Sequence, residues 1–249
     1  MKLSVVLPAY NESVNIPIVI AELQKSILSS KYITTHEIIV VDDHSSDDTF
    51  GAVQSINDAR VNCLRLSKRS GSHTAIRAGL RRATGDVTMC ISADGQDNPV
   101  ILDQMIEKVK NGAHTVWGIR NSRNETFSDK FAAWMFYATL RIFASNQTNQ
   151  IDLSNADFYM LSKRSRQAIN QCEERNTSLF GLIIWLGFKQ DFVKYDRRER
   201  LNGKSKWSLK SRARLAIDWI LAFSGIPVRL ITYAGVITAS IAICYAVFI

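Results

Sequence analysis

Several things that would narrow the function are missing from this chain. Its four cysteines, Cys63, Cys90, Cys172 and Cys244, are far apart and form no C-x-x-C pair. That spacing argues against a zinc site and a disulfide framework and fits a reduced, cytosolic setting. No G-x-G-x-x-G run opens a helix, so the dinucleotide fingerprint is absent. No internal repeat or low-complexity tract is visible, which removes solenoids and biased linkers. The first apolar run, residues 3–9, is short, broken by Pro8 and followed by Asn11 and Glu12. A signal peptide is therefore not expected, and the domain that follows is expected to stay inside the cell.

Acidic residues are in deficit, 23 against 31 Lys and Arg, which gives a net charge of +8. Such an excess would suit a nucleic-acid binder, so its location has to decide. Ten Lys and Arg against three Asp and Glu fall between Lys189 and Arg214, so almost the whole excess sits in that stretch. After it, residues 230–249 carry no charge at all. A run of that length and character predicts a transmembrane helix over residues 226–249. The basic block directly before it places the preceding domain on the cytoplasmic side by the positive-inside rule. Basic residues beside a membrane span disfavour nucleic acid as a partner. No polar tail follows Ile249, so the chain is expected to continue beyond it.

The first 120 residues alternate short apolar runs with longer amphipathic ones, the pattern of a parallel sheet flanked by helices. Strands are expected at residues 3–7, 37–41, 61–66, 86–91 and 113–118, and helices at 14–28, 47–56, 73–83 and 99–110. The second half reads as more helical, with candidates at 130–145 and 177–186. Residues 207–223 place Trp207, Ala213, Ala216, Ile217, Ile220 and Leu221 near one side, with Lys210, Arg212 and Arg214 elsewhere. A basic amphipathic helix of this kind is expected to lie in the membrane interface. The organisation is thus a domain at 1–206, a juxtamembrane helix at 207–225 and a membrane helix at 226–249.

In open α/β sheets ligands gather at the carboxyl ends of the strands, and the loops there are conspicuously polar. They read Ala9-Tyr10-Asn11-Glu12, then Asp42 to Asp47, then Ser67 to Ser72, then Ala93-Asp94-Gly95-Gln96-Asp97. Carboxylates in such a crevice accept hydrogen bonds from a base N–H or from ribose hydroxyls. Asp43 is read as that kind of contact, whereas Asp47 serves equally well as a helix cap. The cluster from Ser92 to Pro99 offers hard oxygen ligands suited to Mg²⁺ or Mn²⁺.

The run Pro8-Ala9-Tyr10-Asn11-Glu12, with Val41-Asp42-Asp43-His44-Ser45-Ser46-Asp47-Asp48-Thr49 about thirty residues later, resembles the P-x-Y-N-E and V-D-D-x-S-x-D-x-T stretches of the family 2 glycosyltransferases. The resemblance extends over nearly the whole chain. It is strongest to the branch that loads sugars onto polyprenyl phosphates, such as dolichyl-phosphate mannose synthase and the undecaprenyl-phosphate glycosyltransferases. It implies a GT-A-type α/β domain with a mainly parallel sheet that binds a nucleotide sugar, UDP- or GDP-linked. The implied donor contacts are Pro8, Ala9, Tyr10, Glu12, Asp43, Arg69, Ala93, Asp94 and Gln96. The family's usual D-x-D is Ser92-Ala93-Asp94 here, so Asp94, helped by Gln96, is the implied metal anchor. In the loop usually written R-N-x-G-K, Arg69 and Ser72 replace the Asn and the Lys, and His73 is read as a capping or surface residue.

Further segments carry the resemblance onward. Gly118 to Arg123 matches G-x-R-x-x-R, and Asn155 to Arg164 matches G-D-F-R-L-x-x-R with Tyr159 in place of the Arg. Arg197 to Trp207 matches R-x-x-R-x-x-G-x-S-K-[YW]. The guanidinium fork suits phosphate oxygens, so Arg120, Arg123, Arg200, Ser205 and Lys206 are the implied diphosphate or acceptor contacts. Asp94, Asp157, Arg200 and Lys206 are the implied catalytic set. The implied reaction is inverting transfer of a hexose-type sugar to polyprenyl phosphate at the cytoplasmic membrane face. Transfer to a lipid-linked glycan and a non-catalytic membrane-anchored scaffold are the alternatives. A processive synthase is disfavoured because Q-x-x-R-W is absent. A homo-oligomer is compatible with the sequence, which does not specify one.

Overall fold

The computed structural model describes residues 1–121, 156–173, 179–198 and 226–249. Its strands, in chain order, are β1 (Lys2–Ala9), β2 (Thr35–Asp42), β3 (Val61–Arg65), β4 (Val87–Cys90), β5 (Thr115–Arg120), β6 (Ala156–Ser162) and β7 (Gln190–Tyr195). The described helices are α1 (Ile16–Leu28), α2 (Thr49–Gln54), α3 (Ser72–Arg82), α4 (Leu102–Lys110), α5 (Lys163–Gln171), α6 (Leu179–Trp185) and α7 (Ile226–Phe248). A single 3₁₀ turn, Pro99–Ile101, leads into α4, and the Asn98 side chain caps it by accepting from the Val100 N–H at 3.1 Å. The cap on the Pro99 turn is therefore Asn98, which leaves Asp94 and Asp97 for other work.

The strands form one sheet in the order β3-β2-β1-β4-β6-β5-β7. β1 pairs in parallel with β2 and β4, and β5 in parallel with β7, while β6 runs antiparallel to both β4 and β5. This is the mainly parallel sheet expected from the alternation of apolar runs. The motif around Asp157 falls at the start of β6, and β5 is shifted two residues along from its expected position. β7 was not anticipated, because Gln190, Asp191 and Lys194 break its apolar pattern. The expected helices at 130–145 and 207–223 lie outside the described residues.

Period-two alternation sends successive strand residues to opposite faces, and the core divides accordingly. Leu3, Val5, Leu7, Ile38, Val40 and Met89 pack with α1 and α4. Val6, Ile39, Val41, Cys90, Trp117 and Tyr159 pack with α3, α5 and α6 on the other face. Across the β5–β6 pair Trp117 stands opposite Tyr159, and Phe180 of α6 closes an aromatic triangle with centroid separations of 5.1–5.5 Å. Gly79 lets α3 approach the sheet closely, since a Cβ there would lie 2.4 Å from Val6 Cγ1 and 3.2 Å from Val41 Cγ2.

The helix α7 has 23 residues, a length of about 34 Å at 1.5 Å per residue, which matches the hydrocarbon core of a bilayer. Residues 231–249 are exposed, and α7 is long and apolar enough to cross a membrane.

Candidate active site

The topology brings six strand ends to one edge. β1, β2, β3, β4, β5 and β7 all run the same way, so their carboxyl ends share that edge, and antiparallel β6 begins there. Pro8, Ala9, Tyr10, Glu12, Asp43, Arg69, Ala93, Asp94, Gln96, Arg120 and the backbone of Asp157 are therefore gathered at a common rim. Arg123, Arg200, Ser205 and Lys206 lie outside the described residues.

The first two loops are stitched together. Asn11, at φ +53°, accepts from the Ser46 N–H at 2.8 Å through Oδ1, and its Nδ2 donates to Ser46 Oγ at 3.0 Å. The Asn11 N–H donates to Ser45 Oγ at 2.9 Å, and the Glu12 N–H to Thr49 Oγ1 at 2.9 Å. Asn tolerates the left-handed conformation better than most residues, which suits it to this corner. Asp47 receives the Ser13 N–H and the Thr49 N–H and hydroxyl. Burial alone would raise its pKa, but these bonds outweigh burial and hold the carboxyl below its usual value. Asp47 is thus occupied in joining the two loops, while the N-cap position of α2 itself falls to Asp48.

Asp42 and Asp43 differ in role despite adjacency. Asp42, fully buried, accepts from the Ser45 N–H at 2.8 Å and pairs with Arg65 Nε at 3.3 Å. Asp43 accepts from the Ser70 N–H at 2.6 Å on Oδ1 and from the Gly71 N–H at 2.8 Å on Oδ2. It thereby holds the loop after β3, whose Gly71 has φ +89° and ψ 160°, a region essentially reserved for glycine that costs an L side chain about 1–3 kcal/mol. That loop places the Arg69 guanidinium 4.0 Å from the centre of the Tyr10 ring, so two expected donor contacts touch each other. His73 is a half-buried anchor, accepting from the Leu179 N–H at 3.3 Å and set edge-on to Phe180. Burial lowers its pKa to about 4.

The β4 loop carries the candidate metal anchor. The Asp94 side chain is 8% exposed, and its Oδ1 accepts from Ser92 Oγ at 2.7 Å and from the Gln96 N–H at 3.1 Å. Ser92, standing where the family has an aspartate, also reaches Asp97 Oδ2 at 2.7 Å through the same hydroxyl. One hydroxyl proton serves one of these carboxylates at a time. Asp97 Oδ1 accepts from the Tyr195 hydroxyl at 3.0 Å. Gln96 Oε1 accepts from Arg197 Nη2 at 2.9 Å. Among the described residues no group of three or more His, Cys, Asp or Glu is placed to hold a metal. A hard, buried carboxylate fits Mg²⁺ or Mn²⁺ in the manner where one or two protein oxygens share the ion with substrate phosphates.

Tyr195 is a residue of this rim that lies outside every motif of the sequence, whereas Ser45, Ser46 and Arg197 stand in the quoted motifs without an assigned role. The link between Asp97 and Tyr195 spans 98 positions and had no local signal. A cleft of about 380 Å³ lies between α1 and the start of α4, bordered by Glu22, Lys25, Asp103 and Arg198. Neither Asp43 nor Asp94 lines it, so it is distinct from the carboxyl-edge rim.

A mainly parallel sheet with polar loops gathered at its carboxyl edge defines an α/β domain of the class that binds its ligands at the strand ends. The model of glycosyl transferase family 2 matches residues 4–171, and the chain belongs to that family. It is 34% identical over 97% of its length to an uncharacterized glycosyltransferase of Bacillus subtilis, YkcC, covering 74% of that protein. It is 32% identical over 98% of its length to the bactoprenol glucosyl transferase of Shigella phage SfX, covering 80% of it. Among solved structures, glucosyl-3-phosphoglycerate synthase from Mycobacterium tuberculosis in complex with Mn²⁺ and UDP-glucose aligns with TM-score 0.62 and 19% identity, over 90% of this chain and 79% of that one. At that identity the likeness concerns the fold.

Proposed function

We propose that the chain transfers a hexose-type sugar, with inversion, from a UDP- or GDP-linked donor to a polyprenyl phosphate at the cytoplasmic face of a membrane. The observation that carries this reading is the buried Asp94 carboxylate at the rim where the Pro8–Glu12 and Asp42–Asp47 loops also converge. Its support is the bactoprenol glucosyl transferase relative, together with the exposed apolar helix α7 that would keep the domain at headgroup level. The Mn²⁺ and UDP-glucose held by the fold neighbour support a divalent ion as the donor's companion.

In this reading Tyr10, Arg69 and Asp43 line the nucleoside end of the donor, with Pro8, Ala9, Glu12 and Ala93 shaping the floor. Asp94, helped by Gln96, would hold Mg²⁺ or Mn²⁺, which when bound neutralises charge on the departing diphosphate. Arg120 and Arg123 meet phosphate oxygens. Arg200, Ser205 and Lys206 meet the lipid phosphate, and Asp157 orients donor or acceptor. A phosphomonoester has its second pKa near 6, so the acceptor oxygen is largely ionised at neutral pH. Little general-base help is then needed, and the protein's work is to bring two anions together in line and screen them.

The test incubates the purified full chain with radiolabelled UDP- and GDP-sugars and undecaprenyl phosphate, with and without Mg²⁺ or Mn²⁺. Transfer is expected in the presence of the ion. Asp94→Ala is expected to abolish it with an unchanged circular dichroism spectrum. Normal turnover by that variant would remove the metal role, and transfer only to a preformed lipid-linked glycan would redirect the acceptor.

A further inference from the structure

The family model ends at residue 171, yet the segment leaving β7 makes a dense set of bonds to the loop that carries Asp94. Tyr195 donates its hydroxyl to Asp97 Oδ1 at 3.0 Å. Arg197 Nη2 donates to Gln96 Oε1 at 2.9 Å, and the Arg198 N–H donates to the Gln96 carbonyl at 3.0 Å. Arg198 then spreads its guanidinium, with Nη1 on Glu22 Oε2 of α1 at 2.9 Å and Nη2 on Asn98 Oδ1 at 3.3 Å. From Gln96 to Asn98, each residue of the loop is gripped from the β7 side.

We propose that Tyr195, Arg197 and Arg198, anchored through Glu22 on α1, are positioning residues that order the Asp94 loop before the donor arrives. The loop needs such help. It lies outside the strands, turns through Gly95 at φ +76°, and orients Asp94 in part through the Gln96 N–H, which meets Asp94 Oδ1 beside the Ser92 hydroxyl. A residue held in place by the folded protein does not have to be ordered at the moment of binding, so its grip appears as donor affinity. Glu22 and Arg198 are each partly exposed, at 37% and 41%, so their ion pair alone contributes little. The force of the clasp lies in Arg198 holding three partners, the carboxylate, the Asn98 amide oxygen and the Gln96 carbonyl, across two elements.

The inference rests on reading the Asp94 loop as the donor site, and the experiment separates the two. Hydrogen–deuterium exchange on the ligand-free full chain in detergent compares wild type, Glu22→Gln and Arg198→Ala. Exchange of amides at 92–98 is expected to rise about tenfold in Arg198→Ala and about twofold in Glu22→Gln, with β4 amides unchanged. Calorimetric titration with UDP-glucose or GDP-mannose plus Mn²⁺, whichever the wild type binds, is expected to show the donor Kd rising by a matching factor. The KM for undecaprenyl phosphate is expected to stay constant. Unchanged exchange in Arg198→Ala overturns the clasp. Faster exchange with an unchanged donor Kd overturns the positioning role. If the wild type binds neither nucleotide sugar, the donor reading fails and the positioning role fails with it, whereas the exchange data still report the clasp itself. Should Arg198→Ala fold poorly, Glu22→Gln, which leaves every loop residue in place, carries the same comparison.

Discussion

Replacing Asp43 by Asn removes one charge and alters one atom, which makes it a sharp probe of the rim. Both carboxylate oxygens are engaged, Oδ1 by the Ser70 N–H and Oδ2 by the Gly71 N–H, and the residue is 5% exposed. Hydrogen bonds to an ionised partner contribute about 1.5–3 kcal/mol each. In Asn one acceptor survives as a neutral bond, and the other position presents an N–H to an N–H. The carboxylate also sits at the start of α3, whose N-cap Gly71 has no side chain to cap with, so a favourable dipole interaction of about 0.3–1 kcal/mol goes as well. The loss comes to about 3 kcal/mol. If the loop after β3 unfolds together with the domain, that corresponds to a fall in Tm of roughly 6–12 °C for a chain of this size. If the loop opens by itself, Tm stays and donor affinity falls about a hundredfold, because Arg69 leaves Tyr10. Differential scanning fluorimetry and donor titration on the same preparation distinguish the two routes. A variant with wild-type Tm and wild-type affinity would refute the account of Asp43 as the buried clamp on this loop.

Three other outcomes are expected. Gly79→Ala forces a Cβ to within 2.4 Å of Val6 Cγ1, an overpacking cost of about 1–3 kcal/mol only partly offset by about 1 kcal/mol of helix propensity, so its urea midpoint should fall. His73 has a folded-state pKa of about 4, below its unfolded value near 6.5, so the unfolded chain takes up a proton first as pH drops. Stability should therefore decline by roughly 3 kcal/mol between pH 6.5 and pH 4, and His73→Gln should flatten that part of the denaturation profile; an unchanged slope would exclude His73 as its source. Lys206→Ala should lower transfer more than it lowers membrane attachment in flotation assays, and equal loss of both would favour a simple surface-charge role.

The rim was readable because its residues come in short local clusters at strand ends. Pro8 to Glu12, Asp42 to Asp47 and Ser92 to Asp97 are each contiguous, and the spacing of successive strands in a parallel sheet forces such clusters to one edge. The split of Asp42 from Asp43 was not readable, because which carboxylate faces Arg65 and which faces the Ser70–Gly71 backbone depends on the pleat and on a loop from another strand. Ser92 looked like a lost ligand in the sequence. In the structure its hydroxyl lies between Asp94 and Asp97, a role visible only once both carboxylates have positions.

The sequence by itself determined the class of fold, the positions of the first five strands along the chain to within a few residues, the rim motifs and the apolar span that becomes α7, because each follows from periodicity or from neighbouring residues. Only the tertiary structure decided that β6 enters antiparallel between β4 and β5, that β7 closes the sheet, and that Tyr195, Arg197 and Arg198 grip the Asp94 loop. Those contacts join residues about a hundred positions apart, and no local pattern of charge or hydrophobicity encodes a pairing whose partners meet only when the sheet is assembled.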